Sequence, residues 1–574
     1  MSAPSDRLAP PPGSVAMATR WSYVLVTGAL AVVVAVWAVP HLDGGSSTHV
    51  WVQGGDLLGV SLATHLDPLA AQVLLLAVGV GLLVQIYSTA YLDRHPRYRS
   101  YALVIILFLL GMIAVVAADD LFVLLIGWEV MGVCSYLLIG HEWETPLARS
   151  GAAKAFLMTR VADLGLLVGI LVIGQTYGTY RISEVLAQEP ENATAIGLLL
   201  LVAVIGKSAQ FPLHTWLPDA MPGPTPITAL IHAATMVAAG VYLIARLLPI
   251  LSPSTLVMTV LAVIAAITML LGAVFALAQN DLKRALAWST VSQLALMFAA
   301  LAAGDGEAGT DHLLSHGAFK ALLFLGCGCL MHAAGSSALA AMGGLRLRLP
   351  VTFWTMTVGF AALAGVVPTA GFFTKDSVLE ALHHAGEGDG PLSAGWAYAV
   401  LIVALVTSLL TAMYATRLWL TVFFGEPVKG HEAPRAMILP IVLLALATLA
   451  LSIGQPLHLG IGLLSTAITA AGIGLVIWWW RARGSADVLG PLLPLERRLD
   501  IPYARWLPAA MGSTSRAVVD LDRDGVDVYS RESATFAGLA SRVLALVQSG
   551  NVQRYATVIA AGVIVITAAA VIWS

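Results

Sequence analysis

Residues 198–224 read LLLLVAVIGKSAQFPLHTWLPDAMPGP. The stretch starts as an apolar helix and then meets Lys207. Pro212 and Pro218 follow within Phe211-Pro212-Leu213-His214-Thr215-Trp216-Leu217-Pro218. Proline removes a backbone donor and breaks a helix. In a bilayer such a break survives only where protein or water satisfies the freed carbonyls. A second apolar stretch, 350–384, is interrupted by Pro368-Thr369-Ala370-Gly371 and carries Lys375 just beyond. Paired broken helices point to repeated transporter units with the pathway at the breaks. The repeats are expected over 100–247 and 255–424, and an odd number of spans in each would make them inverted.

Composition agrees. The 574 residues are 58% hydrophobic and 11% charged, against about 25% charged in a soluble domain. Runs such as 21–39, 101–118 and 461–480 have membrane-span length. With 30 basic and 33 acidic residues, a nucleic-acid role has no support. Cys134, Cys327 and Cys329 lie in apolar runs, and their spacing fits neither a zinc nor an iron–sulfur site. Nucleotide-binding and haem motifs are lacking. The chain is therefore expected to hold no metal, redox centre or nucleotide.

The reading is an all-α polytopic membrane protein of about 15 spans. They fall near 21–40, 68–91, 100–118, 120–140, 152–175, 195–221, 224–247, 255–279, 281–303, 310–333, 350–384, 396–424, 435–454, 460–480 and 555–573. Residues 1–20 read as disordered, 21–99 as N-terminal helices with an external loop at 41–67, and 435–480 as two C-terminal spans. Over 484–554 four prolines precede an amphipathic pattern at 513–551, read as a lateral helix lying in the interface. The span 555–573 would anchor it. Basic loops hold Arg94, Arg97 and Arg99, then Arg149, Lys283 with Arg284, Arg346 with Arg348, Lys429 with Arg435, and Arg481 with Arg483. Taken as cytoplasmic, they put the N-terminus inside and the C-terminus outside, with Arg181 as an exception.

Charges inside the membrane are costly and mark pathways. The candidates are Glu129, Lys154, Arg160, Asp163, Lys207, His232, His312, His316, Lys320, Lys375 and Asp376. Lys154 sits near a helix start, where it could instead snorkel to the surface. Arg160 and Asp163, three apart, could satisfy each other. His232 could be a hydrogen-bonded core residue. His312, His316 and Lys320 recur every fourth residue, on one helix face with about 6 Å of rise between neighbours. Such a stripe can pass protons, because histidine titrates near neutrality; a metal face is the alternative. A carboxylate near a buried lysine holds its proton, and burial expels the proton once the carboxylate withdraws. Glu129 and Lys207 could form such a pair, while Lys320 and Lys375 carry protons in the second half.

These residues sit in recognisable segments: Gly127-Trp128-Glu129, Lys154-Ala155-Phe156 with Thr159-Arg160-Val161-Ala162-Asp163, Gly206-Lys207-Ser208-Ala209-Gln210, His232-Ala233-Ala234-Thr235-Met236, His316 with Phe319-Lys320-Ala321, and Ala370-Gly371-Phe372-Phe373-Thr374-Lys375-Asp376. Over about 68–430 the chain resembles the antiporter-like, proton-conducting membrane subunits of respiratory complex I. The combination favours subunit L, the counterpart of mitochondrial NADH dehydrogenase subunit 5. The resemblance implies a subunit of a proton-translocating NADH:quinone oxidoreductase, a translocase of the bacterial plasma membrane. FMN, iron–sulfur clusters and quinone would lie in partner subunits. The implied partners are the antiporter-like subunits M and N and the small subunits J and K, within the lipid bilayer. Glu129 and Lys207 would be the coupling pair, tuned by Arg160 and Asp163. His312, His316 and Lys320 would be the central link, and Lys375 with Asp376 the exit. The sequence departs from the family in showing one helix before the 41–67 loop and a short arm. Two other roles stay open, a subunit of a multi-subunit Na⁺/H⁺ antiporter and an energising subunit for inorganic-carbon uptake.

Overall fold

The computed structural model describes residues 15–52, 60–233, 235–455, 459–483, 493–501, 507–522, 535–542, 545 and 561–562. Two compact units divide the chain, Met1–Arg497 and Arg498–Ser574.

In the first unit, α1 (Met17–Ala38) leads into a two-stranded antiparallel hairpin, β1 (Ser47–Val52) and β2 (Leu62–Leu66). There follow α2 (Pro68–Tyr91), α3 (Tyr98–Ala117), α4 (Leu121–Ile139), α5 (Pro146–Tyr177), α6 (Ile182–Leu186), α7 (Ala193–Lys207), α8 (Trp216–Asp219), α9 (Thr225–Ala233) and α10 (Ala238–Leu251). Then come α11 (Thr255–Ala278), α12 (Leu282–Ala302), α13 (Gly306–Ala334), α14 (Pro350–Ala364), α15 (Ala370–Glu387), α16 (Ala394–Phe424), α17 (Arg435–Ala450), α18 (Leu459–Arg483) and α19 (Leu493–Ile501). In the second unit α20 runs over Leu507–Leu521.

Among the described residues, 11 helical segments are long and apolar enough to cross a membrane. The expected spans near 195–221, 350–384 and 435–454 appear as shorter apolar helices. Helix α1 starts at Met17, so the tail read as disordered to residue 20 already coils there. Helix α20 overlaps only the first residues of the lateral helix expected at 513–551 and ends at Leu521. Most of 522–574, including the anchor at 555–573, lies outside the described residues.

The chain is inverted relative to a soluble domain. The windows of α9–α10 and α12 are wholly buried and that of α13 nearly so, whereas α1 is mostly exposed. The buried helices carry His232, Lys283, His312, His316 and Lys320. The outer helices turn residues such as Leu103, Ile126, Leu164 and Ile402 outward, as a hydrocarbon solvent requires. Small residues permit close approach in this core. A side chain on Gly127 would sit 2.6 Å from the Gly111 carbonyl, so α3 and α4 meet backbone to backbone.

Helix ends are closed by local chemistry. Asp67, Asp120, Ser254, Asp281 and Asp305 cap their helices by accepting from backbone N–H groups. Arg181, the exception to the loop-charge pattern, is tied to buried Asp119 at 3.0 Å and to Glu184 at 2.6 Å. Lys283 and Arg284 correct the loop reading. They lie in the first turn of α12, and Lys283 is 4% exposed. In the α4–α5 connection His141 packs against His95, its Nε2 3.2 Å from the His95 Nδ1. Burial pushes the His141 imidazole down to about 4.

Candidate proton-conducting site

The first break falls where the prolines place it. α7 ends at Lys207 and α8 begins at Trp216. The freed backbone is satisfied by side chains, as a break inside a membrane demands. The Trp216 indole donates to the Gly206 carbonyl at 2.9 Å, and the Gln210 amide donates to the Ser208 carbonyl at 2.8 Å. The Phe211 N–H donates to Thr268 Oγ1 at 3.0 Å.

Lys207 is fully buried at the end of α7. Its ammonium lies 3.4 Å from Asp163 Oδ2, 3.2 Å from the Trp128 carbonyl, and 5.0 Å over the Trp128 ring. The Trp128 indole donates to the other Asp163 oxygen at 2.6 Å. Glu129 pairs with Arg160. The pairing expected from sequence is thus exchanged. Arg160 and Asp163 do not satisfy each other; each takes a partner from another helix. Glu129 and Lys207 still share a neighbourhood, because a Cβ built on Gly132 would lie 3.3 Å from Lys207 Nζ and 4.0 Å from Glu129 Oε2. Four charges from α4, α5 and α7 therefore form one cluster.

Lys154 does not snorkel. It binds Asp219 at 2.7 Å with its side chain 12% exposed. Asp219 also meets Arg284 at 3.0 Å, and Arg284 continues to Glu496 at 2.6 Å. Glu496 accepts from the Trp288 indole at 3.0 Å and from the Gln279 amide. Nearby, the Lys283 ammonium donates to the Met221 and Gly223 carbonyls, each at 2.8 Å, holding the loop after α8. Sequence reasoning read Lys283 and Arg284 only as loop charges and gave Asp219 and Glu496 no role. A lysine two residues into an apolar helix was the available signal for Lys283; Glu496 has none, since its partners lie more than 200 residues away.

Replacing Glu496 with Ala leaves Arg284 and the Trp288 indole without their acceptor. The expected loss is about 2 kcal/mol, in the range for stranding a partly buried charge. Thermal unfolding of the purified complex reads it as a lowered midpoint; an unchanged midpoint would show the cluster is ornamental.

The second break, between α14 and α15, is closed by Lys375 itself. Its ammonium donates to the Leu363 carbonyl, while Thr369 Oγ1 donates to the Val366 carbonyl at 2.6 Å. Asp376 is fully buried, and a Cβ on Gly462 of α18 would lie 3.0 Å from its Oδ2.

The α13 stripe is buried throughout. Lys320 donates to the Ser289 hydroxyl on α12. The His312 and His316 ring centroids are 6.4 Å apart. His312 contacts Thr374 Oγ1 at 3.0 Å and Gln293 Oε1 at 3.3 Å. His312 thus meets the residue preceding Lys375. His316 packs on Phe319, and His232 on Phe324. Neither ring nitrogen of either residue finds a hydrogen-bond partner among the described residues. Buried polar atoms of this kind call for water. The side-chain contacts of the stripe include the Thr374 and Ser289 hydroxyls, the Gln293 amide and the Phe319 ring.

Comparison with known proteins gives three findings. Residues 118–389 match the family described as NADH:quinone oxidoreductase/Mrp antiporter, TM, and residues 51–102 match the N-terminus of complex I chain 5. NADH-quinone oxidoreductase subunit L of Mycobacterium tuberculosis is 38% identical over 568 residues, 90% of this chain and 87% of that one. The chloroplastic NAD(P)H-quinone oxidoreductase subunit 5 of Chaetosphaeridium globosum is 40% identical over 435 residues, 70% of this chain and 63% of that one. Among solved structures, the Mrp complex from Dietzia sp. DQ12-45-1b aligns with TM-score 0.68 and 28% identity, over 97% of this chain and 60% of that one.

Proposed function

We propose a proton path in two half-channels for this chain, which belongs to the family of NADH:quinone oxidoreductase subunit L and subunit 5. The chain is read as the proton-translocating membrane subunit of a complex I, coupling quinone reduction in partner subunits to pumping. The observation that carries this is the Asp163–Lys207 pair at 3.4 Å, completely buried beside a helix break. A buried ion pair is poor evidence of stabilisation, and a lysine that can lose its carboxylate is a proton carrier. Glu129 and Arg160 lie beside it as the groups able to draw that carboxylate away. Ser289, Lys320 and the His312–His316 stripe carry the proton onward along wetted faces of α12 and α13, and Lys375 with Asp376 delivers it.

In this reading the two broken helices belong to inverted five-helix repeats at 100–247 and 255–424, within about 15 spans. The lateral helix at 513–551 lies along neighbouring subunits, with 555–573 as its anchor. FMN, iron–sulfur clusters and quinone are held by the partners. Those partners are subunits J, K, M and N in a bacterial plasma membrane, and the N-terminus is cytoplasmic.

Likeness to an Mrp chain along most of the sequence favours a second reading, a subunit of a Na⁺/H⁺ antiporter. Affinity purification of the tagged chain from its own membranes separates the two. Quinone-reductase subunits and NADH:quinone activity should copurify. Recovery of antiporter subunits without them would overturn the proposal.

A further inference from the structure

A half-enclosed cavity of about 320 Å³ opens between α2, α13 and the segment after α17. Its polar lining is Gln72, Asp311, Gln455 and the buried Ser315. The Gln455 Oε1 is buried with no hydrogen-bond partner among the described residues. That polar atom, in a space of this size, calls for water. Ser315 is 2% exposed, and it is the outer end of a chain of hydrogen bonds. Its Oγ lies 2.8 Å from Thr374 Oγ1, which lies 3.0 Å from His312 Nδ1.

We infer that this cavity is the port joining the buried histidine stripe to water, with Thr374 and Ser315 as the hydroxyl relay between them. The inference rests on the proton-path reading above. Each hop conserves atoms. A His312 protonated from the Lys375–Asp376 exit site, next to Thr374 in sequence, gives its Nδ1 proton to Thr374 Oγ1, as Thr374 passes its own hydroxyl proton to Ser315 Oγ. Ser315 passes its proton to water in the cavity, which Asp311, one turn away on the same face of α13, draws outward. His312 is left neutral, and rotation of the two hydroxyls restores the starting arrangement. The lining comes from Leu42 shortly after the end of α1, the first half of α2, the first half of α13, and Leu451 and Gln455 just after the end of α17. All four lie opposite the arginine-bearing loop 93–100, so the loop-charge rule puts the port on the external side.

The test uses the intact complex in membrane vesicles of known orientation. The Gln72→Cys and Ser315→Cys variants are treated with a membrane-impermeant, cationic methanethiosulfonate reagent. Both should be labelled from the external face, Gln72→Cys faster, and labelling of Ser315→Cys should cut pumping several-fold. Ala318→Cys, buried one turn deeper, serves as the unlabelled control. Labelling of Ser315→Cys only from the cytoplasmic face, or none while Gln72→Cys reacts, overturns the port. Labelling without loss of pumping also overturns it. Ser315→Ala and Thr374→Val guard against a misfolded cysteine variant: both should slow pumping several-fold, and normal pumping in both removes the relay. If Lys207 and Lys375 also prove dispensable, the failure belongs to the proton-path reading and not to the port.

Discussion

Asp163→Asn lowers proton pumping at least tenfold, as far as removing Lys207 itself. The asparagine keeps the size of the side chain and an oxygen for the Trp128 indole. It removes the charge opposite a fully buried ammonium. Stranding one member of a buried ion pair costs about 3–5 kcal/mol. In the proposed path the variant leaves Lys207 with no carboxylate at Asp163 to exchange its charge against, so the cycle stops. Lys207→Ala reaches the same end by deleting the carrier, so the double variant should pump no worse than either single one, the mark of residues acting as one unit. The assay is acidification of inverted vesicles driven by NADH. NADH oxidation by an artificial acceptor should persist, because the proposed function assigns that chemistry to partner chains. Additive losses in the double variant, or wild-type pumping in Asp163→Asn, would show that Glu129 rather than Asp163 is the working partner of Lys207.

That choice of partner marks where sequence reasoning stops. Proline and lysine inside apolar runs announced both breaks, since few structures accommodate them in a bilayer. The four-residue rhythm of His312, His316 and Lys320 announced a shared face, because one helix fixes it. Pairing across helices is a different matter. Glu129, Arg160, Asp163 and Lys207 come from three helices, and two pairings of opposite charges were chemically equal on paper. Only the rotation of α4 and α5 decides that Trp128 and Lys207 share Asp163. Lys283 was misread for a related reason. A lysine at a helix start near other basic residues resembles a loop anchor, until the chain after α8 folds back and offers it two carbonyls. Glu496 lay beyond reach altogether, since nothing local distinguishes it from a solvated acid.

Lys375 separates structure from transport more sharply than any other position. Its ammonium closes the α14–α15 break by donating to the Leu363 carbonyl, and in the proposed path it is also the last carrier, beside Asp376. Lys375→Ala removes both roles. An orphaned buried carbonyl costs about 1–3 kcal/mol, so that variant should be less stable and should pump at least tenfold more slowly. Lys375→Arg keeps a donor and a positive charge at the break, but a guanidinium does not release its proton in a protein. It should therefore recover most of the lost stability and none of the lost pumping. Thermal unfolding of the purified complex and NADH-driven acidification of vesicles read the two quantities independently. Pumping restored by arginine would mean that position 375 needs only a fixed charge, and the exit carrier would have to be sought elsewhere along α13 and α15.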